Sequence, residues 1–391
     1  MHIAHFTNTY HPTISGVVRS VASYREALSK LGHNVFVFTQ DAGDYVDTEP
    51  FVFRYLSLNI GLPNEFPATI PISPFMDRLM PALKMDVIHA HHPVLLGQIA
   101  AGKAEELNLP LVFTFHTRYR EYSHYLPIPQ EVVQDFIKGA IDLWIQDYIE
   151  KCDSIIVPSE SMHQVLVENY KIDAPITVLP TGIDLKPYQA ADGGPIREQE
   201  GWDDQFTVIS VGRLASEKNW GMLLEAFAQV NQTHAHTRLV LLGDGPDRRK
   251  LEQQAKKLGI AEKVDFKGKV AFEDVPAYLK AADLFAFASN TETQGLVTLE
   301  AMAAGLPVVA VDAVGTRDVV VHERDGLLTD LDASALAAAI NRMVGEKDTL
   351  AHFREASVNR AAEMDIVSQA AKLVDIYEKA IEIKRSKLAA A

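Results

Sequence analysis

Two glutamates lie eight positions apart around the start of a predicted helix in the second half of the chain. The helix is predicted over residues 295–304, with Glu292 in the polar loop before it and Glu300 inside it. The first amides of a helix have no partners within it and carry the positive end of its dipole. The segment that contains Gly295 and Leu296 is therefore suited to binding a phosphate.

The two carboxylates must have a different role, because they would repel a phosphate. An ionised glutamate only accepts hydrogen bonds, and its two oxygens match a pair of vicinal hydroxyls. One glutamate could bind a ribose and the other a hexose, with phosphate between them, so the segment predicts a sugar-nucleotide site. The alternative is structural: Glu292 is an acid at a helix N-terminus and Glu300 lies on a solvated face, as most charged side chains do.

Two basic side chains follow another apolar strand, which is predicted over residues 206–211. Arg213 and Lys218 lie in the polar loop directly after it. The planar fork of arginine and the compact ammonium of lysine could together bind a diphosphate. The alternative interpretation is a solvated pair of charges, which the position at the end of a strand makes less attractive.

Strands and helices alternate along the chain, and they must position these residues. In the first half, a strand over 2–7, a helix over 17–31 and a strand over 33–39 form a βαβ unit. The second half repeats the pattern of an apolar strand followed by a turn. Repeated units of this kind predict the α/β class, with two doubly wound parallel-sheet domains of Rossmann-like plan. Ligands of such sheets bind at the carboxyl ends of the strands.

Candidate residues also follow the predicted strands of the first half. Gly16 lies at the first strand-to-helix turn, where a missing side chain lets a phosphate or sugar approach the backbone, although such a glycine can simply be a turn. His116 follows the strand over 111–115 and could contact a sugar hydroxyl, or it could merely cap that strand. Tyr119, Tyr122 and Tyr125 come next, and amphipathic rings of this kind suit a polar–apolar boundary.

Three histidines near the strand over 86–90 invite a metal-site interpretation. On an extended strand His89 and His91 share a face, whereas His92 points away. Asp86 alternates to the face opposite His89, and no cysteine is near. We therefore expect no metal there.

Composition restricts the class of protein. The chain has 391 residues, a net charge of −15 and one cysteine, Cys152. The acidic balance argues against nucleic acid as a partner, and a lone cysteine allows no internal disulfide, so we expect a cytoplasmic protein. We see neither a signal peptide at the start nor an apolar run long enough to cross a bilayer.

Residues 51–82 are predicted to be irregular, with five prolines and many apolar side chains. They could form an ordinary two-stranded excursion, or a mobile apolar surface for a lipid.

The residues described so far resemble a known family. Glu292 and Glu300 match the Glu-x7-Glu motif of the retaining glycosyltransferases of family 4, which have the GT-B fold. The resemblance extends along nearly the whole chain, in Ser15-Gly16, His116, Pro180-Thr-Gly-Ile-Asp184, Gly212-Arg213 with Lys218, Gly243-Asp-Gly-Pro246 and the run from Glu300 to Pro307. It implies two facing Rossmann-like domains with an interdomain cleft, over residues 1–183 and 184–369, and a terminal helix over 370–391 that crosses back to the first domain.

The resemblance also implies roles for single residues. Glu300 would bind the ribose hydroxyls, Glu292 would bind the donor sugar, and Arg213 with Lys218 would neutralise the diphosphate. His116 would contact the sugar near the reacting carbon. The backbone amides of Gly16, Gly295 and Leu296 would assist at the phosphates, and Lys269 and Val270 would lie beside the base. Because Arg213 and Lys218 would neutralise the charge of the diphosphate, the resemblance implies a mechanism with no cofactor and no essential metal.

The segments 115–127 and 291–296 look like those of diacylglycerol glucosyltransferases and related glycolipid synthases. This resemblance implies transfer of an α-linked hexose, expected to be glucose from UDP-glucose, to a lipid acceptor at the inner face of the cell membrane. Tyr119, Tyr122 and Tyr125 would lie on the acceptor side. Two alternatives stay open: the same chemistry on a polysaccharide or small soluble glycoside, and a non-catalytic nucleotide-sugar binding protein.

Overall fold

The structure is a computed structural model, and it describes residues 1–58, 68–70, 73–119 and 131–390. The chain divides into two compact units. Unit 1 comprises Met1–Gly182 together with Ile366–Ala391, and unit 2 comprises Ile183–Asp365. Each unit contains a parallel sheet with helices between its strands, so the predicted α/β class with two doubly wound sheets is confirmed.

Unit 1 is built on a seven-stranded sheet with the strand order β3-β2-β1-β6-β7-β8-β9. The strands of this sheet are β1 (His2–Phe6), β2 (Asn34–Gln40), β3 (Val52–Tyr55), β6 (Val87–Ala90), β7 (Leu111–Thr114), β8 (Ser154–Val157) and β9 (Ile176–Val178). The strands β4 (Ser57–Leu58) and β5 (Ala68–Thr69) form a separate antiparallel pair. Strands β6, β7 and β8 are buried along their whole length, as expected for a parallel sheet covered on both faces.

Five helices connect these strands, and their ends follow from local sequence. They are α1 (Gly16–Lys30), α2 (Pro74–Leu83), α3 (Leu96–Glu106), α4 (Glu131–Glu150) and α5 (Glu160–Asn169). The hydroxyls of Ser15, Ser73 and Ser159 accept hydrogen bonds from amides in the first turns of α1, α2 and α5. Such caps satisfy amides that the helix itself leaves without partners.

The prediction that residues 51–82 are irregular is wrong in part. Strand β3 extends the main sheet in parallel with β2, and helix α2 follows after Ser73. Tyr55 is buried, whereas Phe51 and Leu56 are exposed. Proline at the first position of a helix is well tolerated, so Pro74 is compatible with the start of α2, and Pro81 lies in its last turn.

Unit 2 is built on a six-stranded parallel sheet with the order β12-β11-β10-β13-β14-β15. Its strands are β10 (Phe206–Val211), β11 (Thr237–Leu242), β12 (Val264–Gly268), β13 (Leu284–Phe287), β14 (Val308–Val311) and β15 (Gly326–Thr329). Its helices are α6 (Lys186–Ala190), α7 (Gly194–Glu200), α8 (Trp220–Thr233), α9 (Arg248–Lys257), α10 (Val275–Lys280), α11 (Leu296–Ala303), α12 (Thr316–Val319), α13 (Ala333–Gly345) and α14 (Lys347–Ala362). Asp332 caps α13, accepting from the amides of Ser334 and Ala335.

The last helix, α15 (Ile366–Ala390), belongs to unit 1. Leu373, Tyr377 and Ala380 recur at helical spacing on its buried face and pack in one core with Ile3 and Val87 of the sheet. Burying each large apolar side chain stabilises the unit by about 1.5–3 kcal/mol relative to exposure. Within the described ranges, no helix is both long and apolar enough to cross a membrane.

The strand ends of unit 2 approach one another closely through glycines. The Gly243 amide, just beyond β11, donates to the carbonyl of Gly268, the last residue of β12, at 2.8 Å. A Cβ at Gly243, where φ is +137°, would lie 1.9 Å from the carbonyl oxygen of Gly212, which follows β10. Only glycine fits there, because the close contact is with backbone and φ is positive.

Unit 1 buries His92 immediately after strand β6. Its Nδ1 accepts a hydrogen bond from the Asn8 amide at 3.1 Å. Burial lowers the pKa of His92 from 6.5 to about 4, because the charged imidazolium would lose its hydration. The folded chain therefore holds this ring neutral at pH values where the unfolded chain protonates it.

We predict that Gly243→Ala destabilises the protein by about 1–3 kcal/mol, because the added methyl forces the strand ends apart. Urea denaturation of the two proteins measures the difference. Gly345→Ala is the matched control in the same unit, since a Cβ there meets nothing within 4 Å. That change should be neutral or stabilise by up to about 1 kcal/mol. Equal stability of Gly243→Ala and wild type would contradict the packing described.

We predict that His92→Asn flattens the acid dependence of stability, since asparagine keeps an acceptor for the Asn8 amide but does not titrate. For wild type, this contribution is complete above pH 6.5 and is lost as the pH falls towards 4, because only the unfolded chain binds the proton. Urea titrations between about pH 6 and about pH 4.5 should give the variant a slope smaller by about 1.4 kcal/mol per pH unit. Parallel slopes would show that His92 protonates equally in both states.

Candidate active site

The direction of the strand order reverses beside β10 in unit 2. Strand β10 pairs with β11 on one side and with β13 on the other, and all three run in parallel. The helices that follow β10 and β13 therefore leave in opposite directions, which opens a crevice outside the carboxyl ends of these two strands. The loops that begin at Gly212 and Ser289 both start at this point.

An ion pair joins these two loops. Lys218 donates to Oε1 of Glu292, and Ser289 Oγ donates to the same oxygen at 2.9 Å. The side chains of Lys218 and Glu292 are only 21% and 16% exposed. Solvent therefore screens this pair less than it screens a surface pair. The sequence predicted Lys218 in the loop after a strand and Glu292 in the loop before a helix, and the structure brings the two side chains into contact.

Neighbouring polar side chains hold the same two loops together. Asn219 Nδ2 donates to the carbonyl of Ala288 and to Oδ1 of Asn290, both at 3.2 Å. Thr291 Oγ1 donates to the carbonyl of Glu217 at 3.2 Å. Sequence reasoning did not single out Asn219 or Ser289 as contacts, although both lie next to residues that it did select. The contacts place a carboxylate and an ammonium at a fixed position beside the crevice.

Helix α11 lies directly after this loop. Its N-cap is Gly295, in the left-handed conformation at φ 78°, and it supplies no side-chain cap. The first amides, which begin at Leu296, are therefore available for an anion as the sequence suggested. Glu300 lies within α11 and is only 5% exposed. The alternative in which Glu300 lies on a solvated face is therefore wrong.

Three further predicted donor residues lie at the ends of strands of unit 2. Arg213 follows β10 and is exposed, and its carbonyl accepts from Trp220 Nε1 at 2.8 Å. Among the residues that the structure describes, its guanidinium has no ion-pair partner. Lys269 and Val270 follow β12, the first exposed and the second partly buried against the core.

In unit 1 the strand order reverses between β1 and β6, and His116 follows β7, the strand next to β6. Gly16 begins α1, which follows β1, and is exposed. His116 comes two residues after β7, and its Nε2 lies 2.9 Å from Nδ1 of His91. Burial, then the nearby rings of His92 and His5, lowers the pKa of His116 to about 3. At neutral pH it can therefore act as a neutral hydrogen-bonding group.

The predicted acceptor-side tyrosines are described only in part. Tyr119 packs edge-on against Phe115, with ring centroids 5.7 Å apart. Tyr122 and Tyr125 lie outside the described residues.

A cluster of buried histidines surrounds the same edge of unit 1. Ring nitrogens of His5, His89 and His91 lie within 4.8 Å of one another, which is spacing that a metal ion could use. Each of the six ring nitrogens nevertheless has a hydrogen-bonding partner in the protein, within 3.2 Å. Sequence reasoning missed His5 and Tyr377 as members of this cluster. The strand order, with β1 beside β6, would have indicated His5.

Comparison with protein families identifies both units. Residues 14–187 match the model described as "Glycosyltransferase Family 4", and residues 194–360 match the model "Glycosyl transferases group 1". Together they cover the sheet of unit 2, the strands of unit 1 from β2 to β9 and most of the loops just described.

Individual relatives agree with these matches. The chain is 32% identical to alpha-monoglucosyldiacylglycerol synthase of Acholeplasma laidlawii over 320 residues, which is 79% of this chain and 80% of the relative. It is 28% identical to GDP-mannose-dependent alpha-mannosyltransferase of Mycolicibacterium smegmatis over 89% of this chain and 90% of that one. The solved structure of Anabaena Alr3699/HepE in complex with UDP and glucose has the same fold, with a TM-score of 0.76 at 21% identity over 97% of this chain and 99% of that one.

The identity to the synthase from Acholeplasma laidlawii extends over most of both chains, and the two family models match successive parts of the sequence. The chain is therefore a GT-B glycosyltransferase and belongs to the family that joins a family 4 domain to a group 1 domain.

Proposed function

We propose that the enzyme is a retaining hexosyltransferase that transfers glucose from UDP-glucose, with α-linkage, to diacylglycerol. The observation that carries the proposal is the contact between Lys218 and Glu292 at the reversal point of the unit 2 sheet, directly before the uncapped helix α11. Lys218 supplies a cation, Glu292 a carboxylate, and the start of α11 supplies backbone amides. Together these groups suit a ligand that has a diphosphate next to a sugar.

Lys218 can bind the diphosphate without releasing Glu292. An ammonium has three N–H donors, so one can stay with Glu292 while another reaches a phosphate oxygen. Arg213 is exposed in the same loop after β10 and would add a second positive charge, which would stabilise the leaving diphosphate in the transition state. The amides of Gly16, Gly295 and Leu296 would supplement these side chains.

Glu292 is oriented to read the donor sugar. Both of its hydrogen bonds in the described chain go to Oε1, which leaves Oε2 as an acceptor for hexose hydroxyls. Glu300, buried within α11, would accept from the ribose diol, and Lys269 with Val270 would contact the base. His116 would donate to a hydroxyl near the reacting carbon.

The transfer itself needs no dedicated base in this proposal. The bond between the anomeric carbon and the diphosphate oxygen breaks while the acceptor oxygen attacks the same face. The leaving oxygen takes the acceptor proton, so the configuration is retained. Because Arg213 and Lys218 supply the positive charge, we expect activity to survive chelation of divalent metals by EDTA.

The name of the Acholeplasma laidlawii relative supports the choice of glucose and of diacylglycerol. The UDP complex of the Anabaena protein supports uracil as the base of the donor nucleotide. A lipid acceptor would bring the enzyme to the cytoplasmic face of a membrane as a peripheral protein.

A soluble glycoside or polysaccharide acceptor is the second candidate. The observation that favours it is the net charge of −15, since anionic lipid surfaces attract basic proteins. The mannosyltransferase relative likewise makes GDP-mannose the donor to test against UDP-glucose.

We predict that Lys218→Ala lowers kcat by roughly 10²–10³-fold, in line with the loss of one preorganised donor to a developing charge. Arg238→Ala is the matched control, because Arg238 forms a similarly shielded ion pair with Asp265 near the start of β11. The control should leave kcat unchanged, provided that both variants are folded by circular dichroism. Full turnover of Lys218→Ala at saturating donor would contradict the role of this lysine.

We predict that the enzyme glucosylates diacylglycerol in vesicles and floats with them when they contain the acceptor. UDP-, GDP- and ADP-sugars are first compared by thermal shift, because a bound donor raises the apparent stability by mass action. Product with a soluble glycoside but not with diacylglycerol would support the second candidate. Donor binding without any transfer or hydrolysis would support a non-catalytic binding protein.

A further inference from the structure

The buried histidines of unit 1 are linked to His116 by a continuous chain of hydrogen bonds. The chain runs from Thr114 Oγ1 to His89 Nε2 at 2.7 Å, from His89 Nδ1 to Tyr377 Oη at 2.7 Å, from Tyr377 Oη to His5 Nε2 at 3.2 Å, from His5 Nδ1 to His91 Nε2 at 3.0 Å, and from His91 Nδ1 to His116 Nε2 at 2.9 Å. In each of His5, His89 and His91, the two ring nitrogens hydrogen-bond to different neighbours.

The fold fixes the positions of these groups. His5 and His89 are register partners on the adjacent strands β1 and β6. Tyr377 reaches them from α15, where the neighbouring Leu373 and Ala380 are fully buried in the same core. The hydrogen-bonded groups therefore come from four separate parts of unit 1, in or directly after β1, β6 and β7 and in α15.

All of these rings are neutral at ordinary pH. Burial lowers the pKa of His5 to about 3, with a further contribution from the charge of Arg25. Burial also holds the pKa of His89 and of His91 well below 6.5, and it raises that of Tyr377 well above 10. Among the described residues no carboxylate hydrogen-bonds to these four side chains, so none of those residues offsets a positive charge on them in this way.

Neutral rings allow only two proton patterns along such a chain. A neutral imidazole donates from one nitrogen and accepts at the other, so the state of one ring dictates the state of the next. In the first pattern, Thr114 donates to His89 and each group donates onwards until His91 Nδ1–H donates to His116 Nε2. In the second pattern every bond is reversed, and Thr114 must donate its proton elsewhere.

The Thr114 end selects between the two patterns. Thr114 is buried, and in the described part of the chain its hydroxyl hydrogen-bonds only to His89. The reversed pattern would leave a buried hydroxyl proton without an acceptor, which is unfavourable. The first pattern gives the Thr114 hydroxyl proton an acceptor, His89 Nε2.

We propose that the chain from Thr114 to His91 fixes His116 as the tautomer that is protonated on Nδ1 and accepts at Nε2. His5, His91 and Tyr377 are then positioning residues for the transfer. In this tautomer His116 can donate from Nδ1 to a sugar hydroxyl, but it cannot act as a base, since its lone pair is occupied by His91. This inference rests on the proposed contact between His116 and the donor sugar.

The test is the protonation state of His116 in the full-length protein labelled with ¹⁵N-histidine and dialysed against EDTA. Two-bond ¹H–¹⁵N correlation spectra separate protonated from unprotonated ring nitrogens, and the His116→Gln spectrum assigns the signals. We expect the wild type to show a protonated Nδ1 and an unprotonated Nε2. A proton on Nε2 of His116 would overturn the proposal.

Tyr377→Phe interrupts the chain with almost no change in shape. The part beyond His5 is then disconnected from Thr114, so we expect both tautomers of His116. The value of kcat should fall about two- to tenfold, in proportion to the population of the competent tautomer, with the donor KM little changed. Tyr24→Phe is the matched control, because its buried hydroxyl donates to the Pro180 carbonyl at 2.8 Å and, among the described residues, forms no hydrogen bond with these histidines or with Tyr377. The control should keep the wild-type His116 signals.

A second pair of variants tests the selecting end. Thr114→Ser keeps the hydroxyl and should keep the wild-type tautomer, whereas Thr114→Val should give a mixture. An unchanged His116 signal in both Tyr377→Phe and Thr114→Val would overturn the proposal. So would equimolar Zn²⁺ that shifts the signals of His5, His89 and His91 together, since the cluster would then be a metal site.

The tautomer measurement needs no substrate, which separates this inference from the proposed function. Protein that is inactive with every donor but shows the expected His116 signals would contradict the proposed function alone. If the enzyme is active but Tyr377→Phe leaves the His116 tautomer unchanged, the result would contradict the inference alone.

Discussion

The contact between Lys218 and Glu292 is the interaction on which the geometry of the donor side depends. It links the loop after β10 to the loop after β13, where the strand order of unit 2 reverses. Because the pair is partly buried and Ser289 also donates to Glu292, the two charged groups are held before any ligand arrives. Groups oriented in advance need not be reorganised when charge develops on a leaving diphosphate.

The same contact explains how carboxylates and a phosphate site can occupy one edge of a sheet. An isolated Glu292 beside the first amides of α11 would repel a diphosphate, whereas a glutamate paired with Lys218 presents much less net charge. Close packing completes the arrangement, since the backbone at Gly243 approaches that of Gly212 where no side chain could fit. Charge compensation and small residues thus produce one crevice that suits both a sugar and a phosphate.

Much of this arrangement could be predicted from the sequence, because parallel strands are continuous apolar runs and ligands bind at their carboxyl ends. Those two rules located Arg213, Lys218 and Glu292, and the spacing to Glu300 indicated the family. The contact of Ser289 with Glu292 was out of reach, since it depends on loop conformation. Tyr377 could not be placed beside His5 either, because a terminal helix has no sequence signal for the strands that it covers.

The central claim is that a hexose leaves its nucleotide and joins a lipid with its configuration retained. The most direct measurement is the anomeric configuration of the product, determined by proton NMR of the glycolipid formed from UDP-glucose and diacylglycerol. The proposed same-face mechanism predicts an α-glucoside. A β-glucoside would contradict the same-face mechanism and the roles given to Lys218 and Glu292 within it.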